Sequence, residues 1–345
     1  MDTTRYDTIQ KSGRYIIVQL WYPCKKTPLD QLADYIEDKR LITYMINTRY
    51  YDQDSLSLSA LYSLKTNSFK NAVMYATRKK LPLIFFSEGL GVTRANYSTI
   101  YEELASHGIV VASIDHLYAG TTVLPTGKIV DVGQYPDSSL KPMIIDCMRD
   151  ISFILDQLYD RENPFAVFLN DHIDTQKIGA MGHSLGGNIA MESTLSDHRI
   201  KFSINLDGGF FENMEGKHVN APCLIIRESP QYSNEELTKK GRSREGMEAL
   251  GQKIDSIFDR SLTGSSSPAY NVKIRGTGHF SFSDAPFILT DLLTRFGGKI
   301  IDRDRNRLIL SSCIRYFIED LGKKYSDQFI DRISAFDEVI YLKTY

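Results

Sequence analysis

The stretch IGAMGHSLGGNIAM, residues 178–191, places a serine between two glycines where two kinds of sequence meet. The residues before Ser184 are short and apolar, as in a buried strand, and those after it have helical character. A turn this tight from strand to helix forces a strained backbone on its central residue, and nearby glycines remove side chains that would collide there. The stretch therefore predicts that Ser184 is held at the end of a strand with its hydroxyl exposed.

Apolar runs alternate with amphipathic segments along most of the chain. Strands are predicted at 14–23, 81–89, 109–116, 177–182, 200–207, 221–228 and 270–276, a hairpin at 121–132, and helices at 94–108 and 143–158. Strands that are apolar throughout and alternate with helices are typical of a mostly parallel sheet that helices cover on both faces. The sequence therefore predicts an α/β fold, with residues 1–345 as a single domain.

Residues 28–80 interrupt this pattern. The segment lacks strand-like runs, and its apolar residues have helical spacing over residues 30–46. We expect an inserted helical cap or flap, which would either form a lipid-facing entrance or simply cover the sheet. The aromatic and aliphatic side chains that would do so are Tyr44, Tyr50, Tyr51, Leu58 and Leu61.

Composition and charge exclude several classes of function. The formal net charge of -2 gives no overall field that would attract nucleic acid, so no nucleic-acid partner is expected. The four cysteines are far apart and have no metal-type spacing, so neither a metal nor an organic cofactor is expected. The sequence shows no signal peptide and no apolar run long enough to span a membrane, which favours a soluble protein, secreted or periplasmic if a signal peptide has been removed.

Residues that can carry out catalysis follow several of the predicted strands. These strand ends read SEGLG (87–91), DH (115–116), Ser184, DGG (207–209), Glu228 and GH (278–279). Because the carboxyl ends of parallel strands meet at one edge of a sheet, these groups are expected to lie close together. A nucleophilic serine needs a base, and the base needs an acid that fixes its tautomer. Ser184, Asp207 and His279 supply the three groups in the chain order of α/β-hydrolases.

The base and the acid each have alternatives. His116 and His183 also lie near strand ends. His116 precedes the serine and is expected to be a pocket or structural residue, and His183 is expected to point away from the nucleophile, so His279 is favoured as the base. Glu228 could serve as the acid. The shorter Asp207, followed by two glycines, better suits a tight turn toward the histidine, which leaves Glu228 as a solvated loop carboxylate.

Several longer stretches resemble the platelet-activating factor acetylhydrolase family of the plasma, lipoprotein-associated phospholipase A2 type. They are QLWYP (19–23), LIFFSEGLGVTRANYSTIYEELASHGIVVASIDH (83–116), DISFILDQL (150–158), GHSLGGNIA (182–190), INLDGG (204–209) and GTGHFSFSD (276–284). The resemblance implies an α/β-hydrolase fold. It also implies calcium-independent hydrolysis of phospholipids with short or oxidised sn-2 acyl chains, and bacterial relatives suggest broader carboxylesterase action.

The oxyanion of such a reaction needs two backbone N–H donors. In this fold one belongs to the residue after the nucleophile, here Leu185, and the other to an early loop, where Leu90 is the matching residue. The sequence differs from the family pattern next to that loop. The family commonly has histidine before Gly-Leu-Gly, whereas this chain has Glu88. A carboxylate pointing at the oxyanion would oppose its charge, so Glu88 is expected to point elsewhere, toward an arginine such as Arg94.

The sequence therefore predicts a serine carboxylester hydrolase that works through an acyl-enzyme on a small ester or a phospholipid. A general short-chain carboxylesterase or a polyester hydrolase would use the same triad, and a triad does not exclude a peptidase or a thioesterase. A non-catalytic binding protein of the same fold is the remaining alternative. It is disfavoured because such relatives usually lose a triad residue and none is missing here.

Overall fold

The computed structural model describes residues 1–27, 29–48, 55–75, 77–135, 137, 139–169, 171–209, 219–288, 300–323 and 328–344. These residues divide into two compact units, Met1–Ala180 and Met181–Tyr345. The boundary lies inside a strand, and the prediction of a single domain with an insertion at 28–80 remains a prediction.

The first unit contains the strands of the amino-terminal half. They are β1 (Asp2–Asp7), β2 (Ser12–Arg14), β3 (Ile17–Trp21), β4 (Leu32–Asp34), β5 (Lys65–Phe69), β6 (Leu81–Ser87), β7 (Val110–Asp115), β8 (Thr122–Val123) and β9 (Ile129–Val130). Its helices are α1 (Lys39–Asn47), α2 (Ser55–Ser59), α3 (Ser98–Ser106), α4 (Leu140–Tyr159) and α5 (Pro164–Leu169). Strand β10 (Ile173–His183) runs from this unit into the second.

The second unit contains the remaining strands and helices. Its strands are β11 (Phe202–Leu206), β12 (Cys223–Ser229), β13 (Ala269–Arg275) and β14 (Val339–Thr344). Its helices are α6 (Leu185–Ser196), α7 (Asn234–Lys239), α8 (Arg244–Leu262), α9 (Ala285–Ile288), α10 (Arg303–Asp320) and α11 (Gln328–Ile333).

One sheet of eight strands has the order β14-β13-β12-β11-β10-β6-β7-β3. The pairs β6–β7, β11–β12 and β12–β13 are parallel, and β3 and β14 pair antiparallel with β7 and β13. Buried parallel strands are shielded from water on both faces, which explains why their sequences are apolar throughout. The predicted α/β-hydrolase fold with a mostly parallel sheet is confirmed.

Each unit has its own apolar core. In the first, Phe86 lies between the rings of Tyr97 and Tyr101, with ring centroids 4.7 and 4.9 Å apart. Trp21 packs on Tyr101 at 5.3 Å. Such aromatic pairs contribute roughly 0.5–1.5 kcal/mol each beyond the area that they bury. In the second unit, Phe258 and neighbouring apolar residues form a buried cluster beside β12 and β13.

The segment 28–80 differs in part from its prediction. The helix predicted over residues 30–46 begins only at Lys39 and ends at Asn47, because the Asp38 side chain caps it by accepting from the Arg40 N–H. The residues before the cap form β4, which pairs antiparallel with β5, so the segment contains a two-stranded sheet that its polar sequence did not suggest. Tyr50 and Tyr51 lie outside the described residues.

Strands β1, β2 and β14 were also not predicted, whereas the hairpin at 121–132 is confirmed as β8 and β9. Within the part of the chain that the structure describes, no helix is both long and apolar enough to cross a membrane.

Candidate active site

Ser184 occupies the turn between β10 and α6, as the sequence predicted. Its backbone has φ +56° and ψ −119°, a conformation that costs a non-glycine residue on the order of 1–3 kcal/mol. The carbonyl of Ser184 accepts from the N–H of Gly187, and its own N–H donates to the Leu206 carbonyl at the end of β11. The turn is therefore held by the strand beside it and by the first turn of the helix.

In the second unit, His279 lies within hydrogen-bonding distance of this serine, and Asp207 lies within hydrogen-bonding distance of His279. His279 Nε2 lies 3.0 Å from Ser184 Oγ, and His279 Nδ1 lies 2.7 Å from Asp207 Oδ2. Asp207 follows β11 and His279 follows β13, so the sheet order brings together residues that are 95 positions apart in the chain. The distances are those of a nucleophile, its base and the acid that orients the base.

The environment of His279 favours its protonated form. Burial alone would lower the pKa of His279, but the hydrogen bond that His279 donates to Asp207 and the charges of Asp207 and Glu228 outweigh burial and raise this pKa above its ordinary value. An imidazole stabilised in this way can accept the proton of the serine hydroxyl and hold it while a carbonyl is attacked.

Asn205 fixes the turn that carries Asp207. Its Oδ1 accepts from the Gly208 N–H over 2.6 Å, and its Nδ2 donates to the Gly208 carbonyl over 3.3 Å. Asp207 itself has φ +53°, a left-handed conformation that Asp tolerates better than most residues. A side chain at Gly208 would lie 2.5 Å from the Ser184 carbonyl oxygen, so only glycine lets the acid turn pack against the serine turn.

Two residues lie against His279 and its loop. His183 is buried, and its Nε2 donates to the His279 carbonyl over 2.9 Å, with the two rings 4.6 Å apart. Glu228 Oε2 lies 3.8 Å from the position that a Cβ on Gly278, the residue before His279, would take. Glu228 was expected to be a solvated loop carboxylate, whereas it lies in β12, is half-buried and lines the same cavity as His279.

The sequence reasoning missed the positions of Asn205, His183 and Glu228. A signal for the first was present, because Asn205 is a polar residue inside the apolar strand FSINL. Glu228 was considered only as a replacement for Asp207. Its position one strand further along the same edge of the sheet indicated that both carboxylates could approach one histidine.

The two expected oxyanion donors lie in different units. Leu185 is the first residue of α6 and is buried, whereas Leu90 lies in the turn after β6 and is 38% exposed. Neither N–H donates a hydrogen bond to another described residue. Gly91 next to Leu90 has φ +77° and donates to the Ala119 carbonyl over 2.7 Å, which holds the turn in place.

Glu88 does not pair with Arg94 as expected. Its Oε1 accepts from the His116 backbone N–H over 2.8 Å, and its Oε2 has no hydrogen-bond partner among the described residues. Arg94 binds Asp115 instead. Burial raises the pKa of Glu88 to about 8, so the carboxyl group is mostly protonated at neutral pH.

His116 belongs to a second chain of hydrogen bonds, in the first unit. Its Nε2 lies 3.0 Å from Ser87 Oγ and its Nδ1 lies 3.0 Å from Asp150 Oδ2. All three residues are fully buried, so no substrate can reach this serine. Burial lowers the pKa of His116, and Arg14 binds both oxygens of Asp150 at 2.8 and 3.0 Å. The expectation that His116 is structural agrees with this burial.

One group among the described residues has the donor types of a metal site. It consists of His116, Cys147 and Asp150, all buried. Arg14 and Arg5 already bind Asp150 there, and burial raises the pKa of the Cys147 thiol well above its ordinary value. A protonated thiol and two guanidinium groups do not suit a cation, so these residues form a poor metal site.

The chain is similar to several known proteins. A family model described as "Platelet-activating factor acetylhydrolase, isoform II" matches residues 4–123 and 148–335. Bovine platelet-activating factor acetylhydrolase is 31% identical over 164 residues, which are 39% of this chain and 36% of the bovine protein. A probable 1-alkyl-2-acetylglycerophosphocholine esterase of Arthroderma benhamiae is 32% identical over 135 residues, 38% of this chain and 32% of that protein.

The matches with these curated relatives span only about a third of each relative's length. A solved structure covers far more of the chain. A ferulic acid esterase from Streptomyces cinnamoneus superposes with a TM-score of 0.71, covering 99% of this chain and 94% of that one. At 24% identity this likeness supports the fold alone.

Proposed function

Because the chain belongs to the platelet-activating factor acetylhydrolase family, isoform II, we propose that it is a serine carboxylester hydrolase with Ser184 as its nucleophile. The observation that carries the proposal is the pair of contacts made by His279, 3.0 Å to Ser184 Oγ and 2.7 Å to Asp207 Oδ2. A hydroxyl without such a base is a weak nucleophile at neutral pH.

The reaction proceeds in two halves. His279 accepts the Ser184 proton as Oγ attacks the ester carbonyl, and the Asp207 carboxylate stabilises the imidazolium that forms. The imidazolium then gives its proton to the departing alcohol, which leaves an acyl group on Ser184. In the second half His279 activates a water molecule that hydrolyses this acyl-enzyme.

The N–H group of Leu185, next to the nucleophile, stabilises the oxyanion, and Leu90 is the second donor that the sequence motif predicts. Both are backbone groups that no described residue accepts from, and such a donor is worth ~3 kcal/mol of transition-state stabilisation. In this mechanism the activation of the nucleophile and the stabilisation of charge both come from protein groups, so the reaction is calcium-independent.

The substrates are phospholipids with a short or oxidised sn-2 acyl chain. This assignment rests on the family and on relatives named platelet-activating factor acetylhydrolase and 1-alkyl-2-acetylglycerophosphocholine esterase. Exposed apolar residues in the segment 28–80 support contact with a lipid surface. They are Leu29, Leu32, Tyr62, Val73 and Tyr75. A partner of this kind is an ester or a lipid aggregate rather than a nucleic acid.

The test compares two phosphatidylcholines, one with acetyl and one with a long acyl chain at sn-2, with Ser184→Ala as the control. We expect rapid release of acetate, with the long chain cleaved at least about a hundredfold more slowly and the variant inactive on both. Inactivity of the wild type on both lipids would exclude this substrate class. If aryl acetates were then still cleaved in a Ser184-dependent way, the protein would be a general short-chain carboxylesterase.

A further inference from the structure

Glu228 lies beside both the acid and the base of the proposed triad. Its backbone N–H donates to Asp207 Oδ1 over 2.9 Å, and its Oε2 lies 3.8 Å from the position that a Cβ on Gly278, the residue before His279, would take. Asp207 Oδ2 in turn accepts from His279 Nδ1 over 2.7 Å. Glu228 therefore binds the acid through its backbone and places its carboxylate against the loop that carries the base.

The strands beneath Glu228 fix its position relative to the histidine loop. Glu228 pairs with Ile274 in the parallel register of β12 and β13. Beyond this pair, the Gly276 N–H donates to the Ser229 carbonyl over 2.8 Å, and the Ser229 N–H donates to Thr277 Oγ1 over 3.3 Å. Because the loop leading to His279 is hydrogen-bonded to the end of β12, the positions of Glu228 and His279 are fixed relative to each other.

Glu228 also places a second carboxylate beside the imidazole. Burial and the neighbouring Asp207 charge raise the pKa of Glu228 to about 7. A cavity of about 470 Å³ is lined by Asp207, Glu228 and His279, which gives solvent protons a route to the carboxyl group. The charge of Glu228 is among the causes that raise the pKa of His279. The charge of each group therefore influences the ionisation of the other.

The other charged or titratable side chains around this cavity are Arg227, Tyr232, Arg244, Glu248 and Lys273. Arg227 and Lys273 both pair with Asp255 of α8, which reduces their effect on the triad. Arg244 donates to the Tyr232 carbonyl and to Asn234 Oδ1. Glu248 is exposed on α8 and, unlike Glu228, forms no bond to the triad.

We propose that Glu228 is a positioning residue of the active site, which orients Asp207 through its backbone N–H, supports the loop of His279 with its side chain and adds a negative charge that favours the imidazolium formed during acylation. The inference rests on the proposed function. It assigns to Glu228 a role in the reaction without contact with the substrate.

The test measures kcat and KM of a short-chain ester from about pH 5 to about pH 9 for four variants. Glu228→Gln keeps a hydrogen-bond acceptor and removes the charge, so the acidic limb of kcat/KM should move to lower pH by on the order of half a unit, with the plateau within about threefold. Glu228→Asp keeps the charge but shortens the side chain. The acidic limb of its kcat/KM profile should therefore stay near that of the wild type, while kcat falls several-fold.

Glu228→Ala removes both contributions. We expect kcat to fall about tenfold with KM within about twofold, because the histidine is misplaced while substrate binding is not changed. The matched control is Glu248→Gln, which replaces an exposed glutamate that lines the same cavity. Its limb should superimpose on that of the wild type.

The inference would be overturned if the acidic limb of the kcat/KM profile of Glu228→Gln coincided with the limbs of the wild type and of Glu248→Gln. So would equal losses in kcat for Glu228→Gln, Glu228→Asp and Glu228→Ala without any shift of the limb, because that pattern belongs to a side chain that only supports the fold. Ser184→Ala is measured alongside. If it were as active as the wild type, the proposed function would fail, and that failure is distinct from an unmoved limb in a Ser184-dependent enzyme.

Discussion

At the scale of single residues, Glu88 shows how burial decides the role of a carboxyl group. A charged carboxylate beside the expected oxyanion loop would oppose catalysis. Glu88 is fully buried, accepts from the His116 N–H and has its pKa raised to about 8 by burial. A neutral carboxyl group directed at the backbone does not repel an oxyanion, so Glu88 is compatible with the proposed reaction.

The raised pKa of Glu88 predicts a specific dependence of stability on pH. The ordinary value is 4.5 and the folded value is about 8, so the folded state keeps a proton that the unfolded state loses between them. The contribution of Glu88 to the free energy of unfolding is therefore highest below about pH 4.5, and it falls as the pH rises to about 8. Glu88→Gln removes this dependence. We expect its Tm to exceed that of the wild type by several degrees more at pH 8.5 than at pH 5, since one pKa unit corresponds to about 1.4 kcal/mol.

Thermal melts across this pH range provide the measurement. Glu162→Gln is the control, because it makes the same substitution at an exposed position. Its difference in Tm from the wild type should be the same at every pH. Parallel Tm curves for Glu88→Gln and the wild type would show that Glu88 is ionised in the folded protein.

At the scale of elements, the acid turn after β11 depends on a polar side chain inside an apolar strand. Asn205 is buried and binds both the N–H and the carbonyl of Gly208. An Asn at this position costs desolvation unless its hydrogen bonds are formed. It gains those bonds only when the chain reverses at Asp207, so the residue specifies the turn that directs Asp207 toward His279.

Asn205→Ala should therefore reduce catalysis more than binding. The variant leaves two backbone groups of Gly208 unpaired and frees Asp207 from its turn, so we expect kcat to fall by about a hundredfold with KM within about threefold. The control is Ser203→Ala, two residues earlier on the same face of β11, where the hydroxyl has no hydrogen-bond partner among the described residues. Steady-state kinetics with a short-chain ester would test this, and an Asn205→Ala variant with unchanged kcat would contradict it.

The same element-level view explains which strands the sequence could predict. β6, β7, β11, β12 and β13 are buried on both faces, so each is a continuous apolar run. β1, β2 and β14 were missed because their exposed or partly exposed residues break that pattern. Helix α1 was predicted too long because the helical spacing of apolar residues continues before Asp38. The helix itself begins at Lys39, where the Asp38 side chain caps it.

At the scale of the whole molecule, the order of strands brings the site together. β10, β11, β12 and β13 are neighbours in the sheet, and they lead into Ser184, Asp207, Glu228 and His279 in turn. The sequence predicted which residues would share that edge because each follows an apolar run. It could not predict contacts between distant polar residues such as Arg14 and Asp150, which are 136 positions apart and depend on how a helix packs against the amino terminus.

The central claim is that Ser184 is an activated nucleophile, and the most direct measurement of it is reaction with a fluorophosphonate followed by mass analysis of the intact protein and its peptides. We predict one adduct per chain, located on Ser184, no adduct in Ser184→Ala, and labelling slowed by at least about a thousandfold in His279→Ala, because the base is lost. An adduct on another residue, or equal labelling of Ser184→Ala, would contradict the account.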